Sequence, residues 1–272
     1  MKENVFMPER FYSIDETMSI EKLIQVKESG GFVVVKVIAW NLQNECLEVE
    51  LGNNLNAVIA LEDFTIYPTK HSDGFITPNV YTLIGENICA CVKSLESGKI
   101  VLSRAENMRK ALNFLKDNST KIYSCMVLSI KKYGAFVDIC SGLTGFIHVS
   151  ELTRSFVKSP IDVGFNTGSY IDCSILDIKE DPCRIKLTHK LAVENIAQKL
   201  TPGKIVEVIS LFPVSKSHDG YYVYINDNTS GIMDVKSNSK KIPYGKKVKA
   251  FVKPTKSSKP DLARLNFLYL LD

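Results

Sequence analysis

The chain has 272 residues, 45% hydrophobic and 24% charged, with a formal net charge of +4. With only 15 Gly and 10 Pro, and apolar residues throughout, low-complexity disorder is excluded. No apolar run reaches the ~20 residues of a bilayer helix. The opening MKENVFMPERFYSIDE has no apolar stretch of the secretory kind, so a cytoplasmic location without a membrane partner is expected.

The charge is uneven. Residues 1–116 hold 12 Lys and Arg against 15 Asp and Glu, whereas residues 193–272 hold 13 against 7. Basic charge gathered at one end points to a polyanion partner there. The seven cysteines form no C-x-x-C pair, and His71, His148, His189 and His218 are scattered. They are expected to be small buried thiols in a reducing compartment, with no metal site and no cofactor. The chain also lacks a P-loop, a G-x-S-x-G elbow, an H-E-x-x-H pair and a dinucleotide fingerprint, so no enzymatic activity is expected.

In chain order, Ile20, Leu23 and Ile24 mark a short helix ended by Gly30-Gly31. Strand-like runs follow: GFVVVKVIAW, CLEVELG, NAVIALEDF, GENICACVKSL and GKIVLSR. Met108, Ala111, Leu112 and Leu115 share one helical face and predict a linker helix over 105–116. A second set of five strands then spans 117–190: KIYSCMVLSIKK, YGAFVDI, SGLTGFIHVSEL, GSYIDCSILDI and CRIKLTHK. A helical turn after the third is capped by Ser150. Residues 191–200 predict a shorter linker helix, stopped by Thr201-Pro202-Gly203. The last set is GKIVEVISLF, GYYVYIND, SGIMDV, GKKVKAFVK and LARLNFLYL.

Three ordered copies of five short strands predict an all-β chain. Its three tandem five-stranded OB-fold barrels are joined by short helices. The expected parts are an N-terminal helical extension (1–29), barrels at 30–104, 117–190 and 201–272, and linkers between them.

The residues of the middle unit carry a family resemblance. Tyr133-Gly134-Ala135-Phe136-Val137-Asp138, then Gly145-Phe146-Ile147-His148-Val149-Ser150-Glu151-Leu152, then Gly168 and Arg184-Ile185-Lys186-Leu187 resemble the S1 RNA-binding domain. That family includes bacterial ribosomal protein S1, polynucleotide phosphorylase and RNase E. The resemblance is strong over 117–190 and weaker over 30–104 and 201–269. It implies RNA contacts at Tyr133, Phe136, His148 and Arg184. The alternation implies more on its own. If Val137, Ile139, Ile147, Val149, Ile185 and Leu187 face the core, then Phe136, Asp138, Phe146, His148, Arg184 and Lys186 face out. Bases stack on exposed rings, while Arg184, Lys186, Lys131 and Lys132 meet phosphates. Tyr133 falls inward by strict alternation unless Gly134 hosts a bulge.

The other units depart from this pattern. Glu48, Val58 and Ala60 stand where the middle unit has Phe136, Phe146 and His148, so the first barrel is expected to bind RNA poorly. By resemblance it docks on the small ribosomal subunit; a purely structural role is the alternative. In the last unit Tyr222 and Arg264 keep two contact positions, and Asp234 replaces the histidine. Lys240, Lys241, Lys246, Lys247, Lys249, Lys253, Lys256 and Lys259 surround that position in sequence, with Lys246 and Lys247 as weaker RNA contacts. The resemblance implies a single-stranded mRNA-binding protein of the ribosomal protein S1 type, shortened to three repeats and acting in translation. The competing reading is an S1-domain regulatory adaptor in transcription or RNA decay, away from the ribosome.

Overall fold

The computed structural model describes residues 6–67, 80–96, 98–153, 165–181, 183–215, 218–236, 241–254 and 262–271. Among the described residues, fifteen strands form three closed barrels. The first holds β1 (Val33–Asn41), β2 (Cys46–Leu51), β3 (Leu55–Ala60), β4 (Asn87–Glu96) and β5 (Lys99–Ser103). The second holds β6 (Ile122–Lys131), β7 (Gly134–Cys140), β8 (Leu143–His148), β9 (Tyr170–Glu180) and β10 (Cys183–Thr188). The third holds β11 (Ile205–Ser215), β12 (His218–Asn226), β13 (Thr229–Asp234), β14 (Lys247–Val252) and β15 (Leu262–Leu270).

Each barrel closes in the same cyclic order. The first three strands run as neighbours, the fifth joins the third, and the fourth returns to the first. The third-to-fifth pairing is parallel in the first and last barrels. This is the all-β, OB-type architecture expected from the threefold repeat. The chain forms two compact units: Met1–Met126 with Asp138–Gly145 and Asp177–Ile185, and Val127–Val137 with Phe146–Leu176 and Lys186–Asp272.

In the first unit, α1 (Ile20–Glu28) is capped by Ser19, whose side chain accepts from Lys22 N. Leu23 is fully buried and Val26 half-buried, whereas Ile20 and Ile24 are exposed. Val35, Val37, Leu47, Leu51, Ile59, Ile88 and Leu102 fill the first barrel. Each contributes roughly 1.5–3 kcal/mol of burial. The linker helix α2 (Arg104–Asp117) begins at a Ser103 cap that accepts from Glu106 N, and its Met108, Ala111, Leu112 and Leu115 are buried as the periodicity predicts. All seven cysteines are buried and unbridged.

In the second unit, the third barrel closes on Val208, Val223, Met233, Val248, Ala250 and Leu265. Three local expectations are corrected. Residues 191–200 do not form an α-helix; they hold a single 3-10 turn at Ala197–Lys199. Their polar groups are taken by the third barrel instead, with Ile196 N donating to Thr229 Oγ1 at 2.8 Å and Asn226 Nδ2 to Glu194 O at 3.2 Å. The turn after β8 is capped by His148, not Ser150: Ser150 N donates to His148 Nδ1 at 3.2 Å. Val149 lies in that turn and is only half-buried, because β8 has already ended at His148.

Candidate nucleic-acid interface

The alternation along β7 and β8 sets the site. Ala135, Val137 and Ile147 are buried, while Phe136 and Phe146 between them are half-buried on the outer side. Gly134 lets the two strands approach: a Cβ there would stand 2.2 Å from Ile147 O and 2.9 Å from the Phe146 ring. The chain turns at this point, and Tyr133 points outward with 54% of its surface exposed. Tyr133 faces out because it sits in the turn before β7 begins at Gly134, where the strand alternation does not extend.

Four rings form one row. Phe146 lies at its centre, 5.0 Å from Phe136, 5.9 Å from Tyr133 and 6.3 Å from His148, centroid to centroid. All are tilted or edge-on, the arrangements that ring quadrupoles favour. Mutual packing holds the rings in place without covering them, which gives unpaired bases a stacking surface. His148 is exposed, and its Nδ1 accepts from Ser150 N and lies 2.8 Å from Ser150 Oγ. That acceptor role leaves the proton of the neutral ring on Nε2, from which the ring can donate a hydrogen bond.

Lys131 and Lys132 are exposed at the β6–β7 turn. Arg184 and Lys186 are exposed on β10, alternating with buried Cys183, Ile185 and Leu187. In the strand order β10 is the neighbour of β8.

Asp138 departs from its outward, open placement. It lies on the outer side of β7 but is 3% exposed, because residues near the N-terminus cover it. Its Oδ2 accepts from Glu9 N at 2.8 Å and its Oδ1 from Gly142 N at 3.2 Å. Burial, followed by the neighbouring Glu9 charge, raises its carboxyl to about 7. No local sequence signal marks this contact.

The first barrel lacks a ring row. Glu48 is exposed opposite half-buried Val58, and Asn41 Nδ2 donates to its Oε1 at 2.8 Å. In the last barrel, Tyr222 is 41% exposed and stands in register with Ile232, which in turn pairs with Arg264. Asp234 is ion-paired with Lys253 at 2.8 Å, so its charge is partly offset. An open groove of about 440 Å³ is lined by Asp234, Lys253, Pro254 and Arg264. Lys247 does not join this group. It lies on β14 opposite Ile209 of β11, and Lys246 precedes it. Lys240, Lys256 and Lys259 lie outside the described residues. Among the described residues, no helix is long and apolar enough to cross a membrane.

Residues 116–190 match the family model described as S1 RNA binding domain. The chain is 35% identical over 114 residues to small ribosomal subunit protein bS1 of Staphylococcus haemolyticus, covering 39% of this chain and 29% of that protein. It is 34% identical over 71 residues to a polyribonucleotide nucleotidyltransferase of Azobacteroides pseudotrichonymphae, covering 26% of this chain and 10% of that enzyme. The chain thus spans less than a third of the length of these curated relatives. A multidomain protein with nucleic acid binding domains from Streptococcus pneumoniae aligns over 88% of this chain and 73% of its own, at 15% identity and a TM-score of 0.27. The residues that build the ring row lie inside the segment 116–190 that matches the S1 RNA binding domain model.

Proposed function

We propose that the protein holds single-stranded RNA, mRNA in particular, on the second barrel, acts in translation in the cytoplasm in the manner of ribosomal protein S1, and catalyses nothing itself. The observation that carries this reading is the row Tyr133–Phe146–Phe136 with His148 beside it, set on β7, β8 and the turn that leads into β7. Exposed rings bind bases of any identity, so little sequence preference is expected. Arg184, Lys186, Lys131 and Lys132 supply phosphate contacts. The first barrel, acidic and without such a ring row, serves as a protein-facing module that docks on the small ribosomal subunit. The similarity to small ribosomal subunit protein bS1 over 39% of the chain supports the ribosome-linked reading of the chain.

The similarity to a polyribonucleotide nucleotidyltransferase favours a second reading, in which the same RNA surface serves decay or transcription as an adaptor. Crosslinking in cells, followed by sedimentation of lysates on a gradient, separates the two. The translation reading expects the protein in small-subunit fractions, crosslinked to mRNA. Absence from those fractions, with crosslinks to a decay or transcription enzyme, favours the adaptor.

A further inference from the structure

The last barrel carries a second outward face, away from Tyr222. On β14, Lys247, Lys249 and Phe251 alternate with Val248, Ala250 and Val252, which are buried in the core. On one side of β14, Glu207 of β11 lies opposite Lys249, and Ile205 opposite Phe251. On the other side, Tyr269 of β15 lies opposite Lys249. Phe251 is 37% exposed, Tyr269 53% and Ile205 59%. The strand order puts β14 between β11 and β15, whereas Tyr222 and Ile232 lie on β12 and β13.

Two rings and an isoleucine are thus exposed around a central lysine on three neighbouring strands. Glu207 is the acid in these rows, and Lys249 pairs with it at 3.1 Å. Exposed Lys246 and Lys247 flank one end of the stripe, and exposed Lys204, next to Ile205, the other. Cores of protein–protein interfaces are depleted of lysine, which argues against a protein partner centred on Lys249. Cations alternating with exposed rings on a sheet are the chemistry that takes an unpaired nucleic-acid strand. The excess of 13 basic over 7 acidic residues in 193–272 gives the matching charge.

We propose that the β14 face, built from Lys247, Lys249, Phe251 and Tyr269, is a second binding track for single-stranded RNA. It rests on the reading that the second barrel binds RNA, and it extends the footprint to a surface outside the β12–β13 side of the last barrel. Lys247 and Lys249 meet phosphates, and the Phe251 and Tyr269 rings receive bases.

The test uses the full chain and oligouridylates of ~8 and ~30 nucleotides, since one OB-fold covers about 4–16. Two variants are compared with the unmodified protein: Lys247→Gln with Lys249→Gln, and Phe251→Ser with Tyr269→Ser. The track predicts unchanged affinity for the short oligomer in both. It predicts a loss of about tenfold for the long one, as expected for one stacking contact. The lysine variant also flattens the salt dependence by about 0.7 in log–log slope for each phosphate contact removed. Unchanged long-oligomer affinity and slope in both variants, with native circular dichroism, overturns the proposal. So does loss of self-association or of binding to anionic vesicles while RNA affinity stays the same. If the ring variant fails to fold, the exposed lysine variant decides alone. Failure of the unmodified protein to bind even the short oligomer would defeat the second-barrel reading instead.

Discussion

Glu9 and Asp138 are 129 positions apart, and the main-chain N–H of Glu9 donates to Oδ2 of Asp138 at 2.8 Å. The Glu9 carboxylate is held in turn by Arg104, with Nε at 2.9 Å from Oε1 and Nη2 at 2.8 Å from Oε2. Arg104 opens α2 and also lies over the Phe64 ring, 5.2 Å from its centroid. One buried cluster therefore ties the segment around Glu9, the start of the linker helix and the end of β7, all within the first unit. Burial by itself pushes the Arg104 guanidinium down, but the Glu9 carboxylate outweighs that and raises it.

Breaking this cluster at one partner strands a buried charge. Arg104→Met or Glu9→Gln is expected to destabilise the protein by about 3–5 kcal/mol in urea unfolding. Gly142→Ala should destabilise it as well. The residue has a φ of +73°, and an added Cβ would stand 1.9 Å from Arg104 Nη2. A loss under ~1 kcal/mol for all three variants would mean that the cluster does not form.

The Asp138 carboxyl is raised from 3.8 to about 7, so the folded chain holds that proton more tightly than the unfolded chain does. By linkage, its contribution to stability falls as pH rises from about 4 to about 7. Asp138→Asn keeps one carbonyl oxygen, enough for one of the two N–H donors, and removes the titration. Unfolding measured across that window should be flatter with pH in the variant than in the parent. Parallel curves would contradict the assignment.

His189 shows the same sign in a higher pH window. Its Nε2 lies 2.7 Å from Asp227 Oδ2, its Nδ1 faces Asp172 O, and Tyr224 donates to Asp227 Oδ1 at 2.6 Å. Burial lowers its pKa, but the Asp227 contact outweighs that and lifts it to about 10. A raised histidine stabilises fully below its unfolded value near 6.5, and this contribution is lost as pH climbs through about 10. The protein should therefore lose stability between pH 7 and 10, and Asp227→Asn should remove that slope. Equal slopes in parent and variant would show that the pair is not formed in solution.

The fold was legible because strand alternation is local. The buried–exposed pattern of β8 and β10 follows the period of two, and the shared face of Met108, Ala111, Leu112 and Leu115 marked α2. Partners far apart in sequence were not legible. Alternation put Asp138 on the outer side, but nothing near it told of a cover 129 residues away. The lysines of the last barrel looked like one group in sequence, yet a strand places Lys247 and Lys253 on different neighbours: Lys253 pairs with Asp234, and Lys247 stands opposite Ile209. Residues 191–200 failed as a helix because Leu191 is exposed and Thr229 and Asn226 claim the backbone. The exposed Phe251 was legible in principle, as the ring of a K-x-K-x-F strand whose cations already faced out.

The last barrel should show itself in salt dependence. Removing 193–272 is expected to make the slope of log affinity against log salt shallower by a few contacts at about 0.7 each, with base preference unchanged. Equal slopes with and without this segment would leave its lysines as a solvated surface.

The most direct test is the affinity of the full chain carrying Phe136→Ala and His148→Ala for an ~8-nucleotide single-stranded RNA. The ring row predicts a loss of about 1–3 kcal/mol for each stacking group removed, roughly fivefold to more than a hundredfold, with native circular dichroism. Affinity equal to that of the unmodified protein would contradict the assignment of the second barrel as the RNA site.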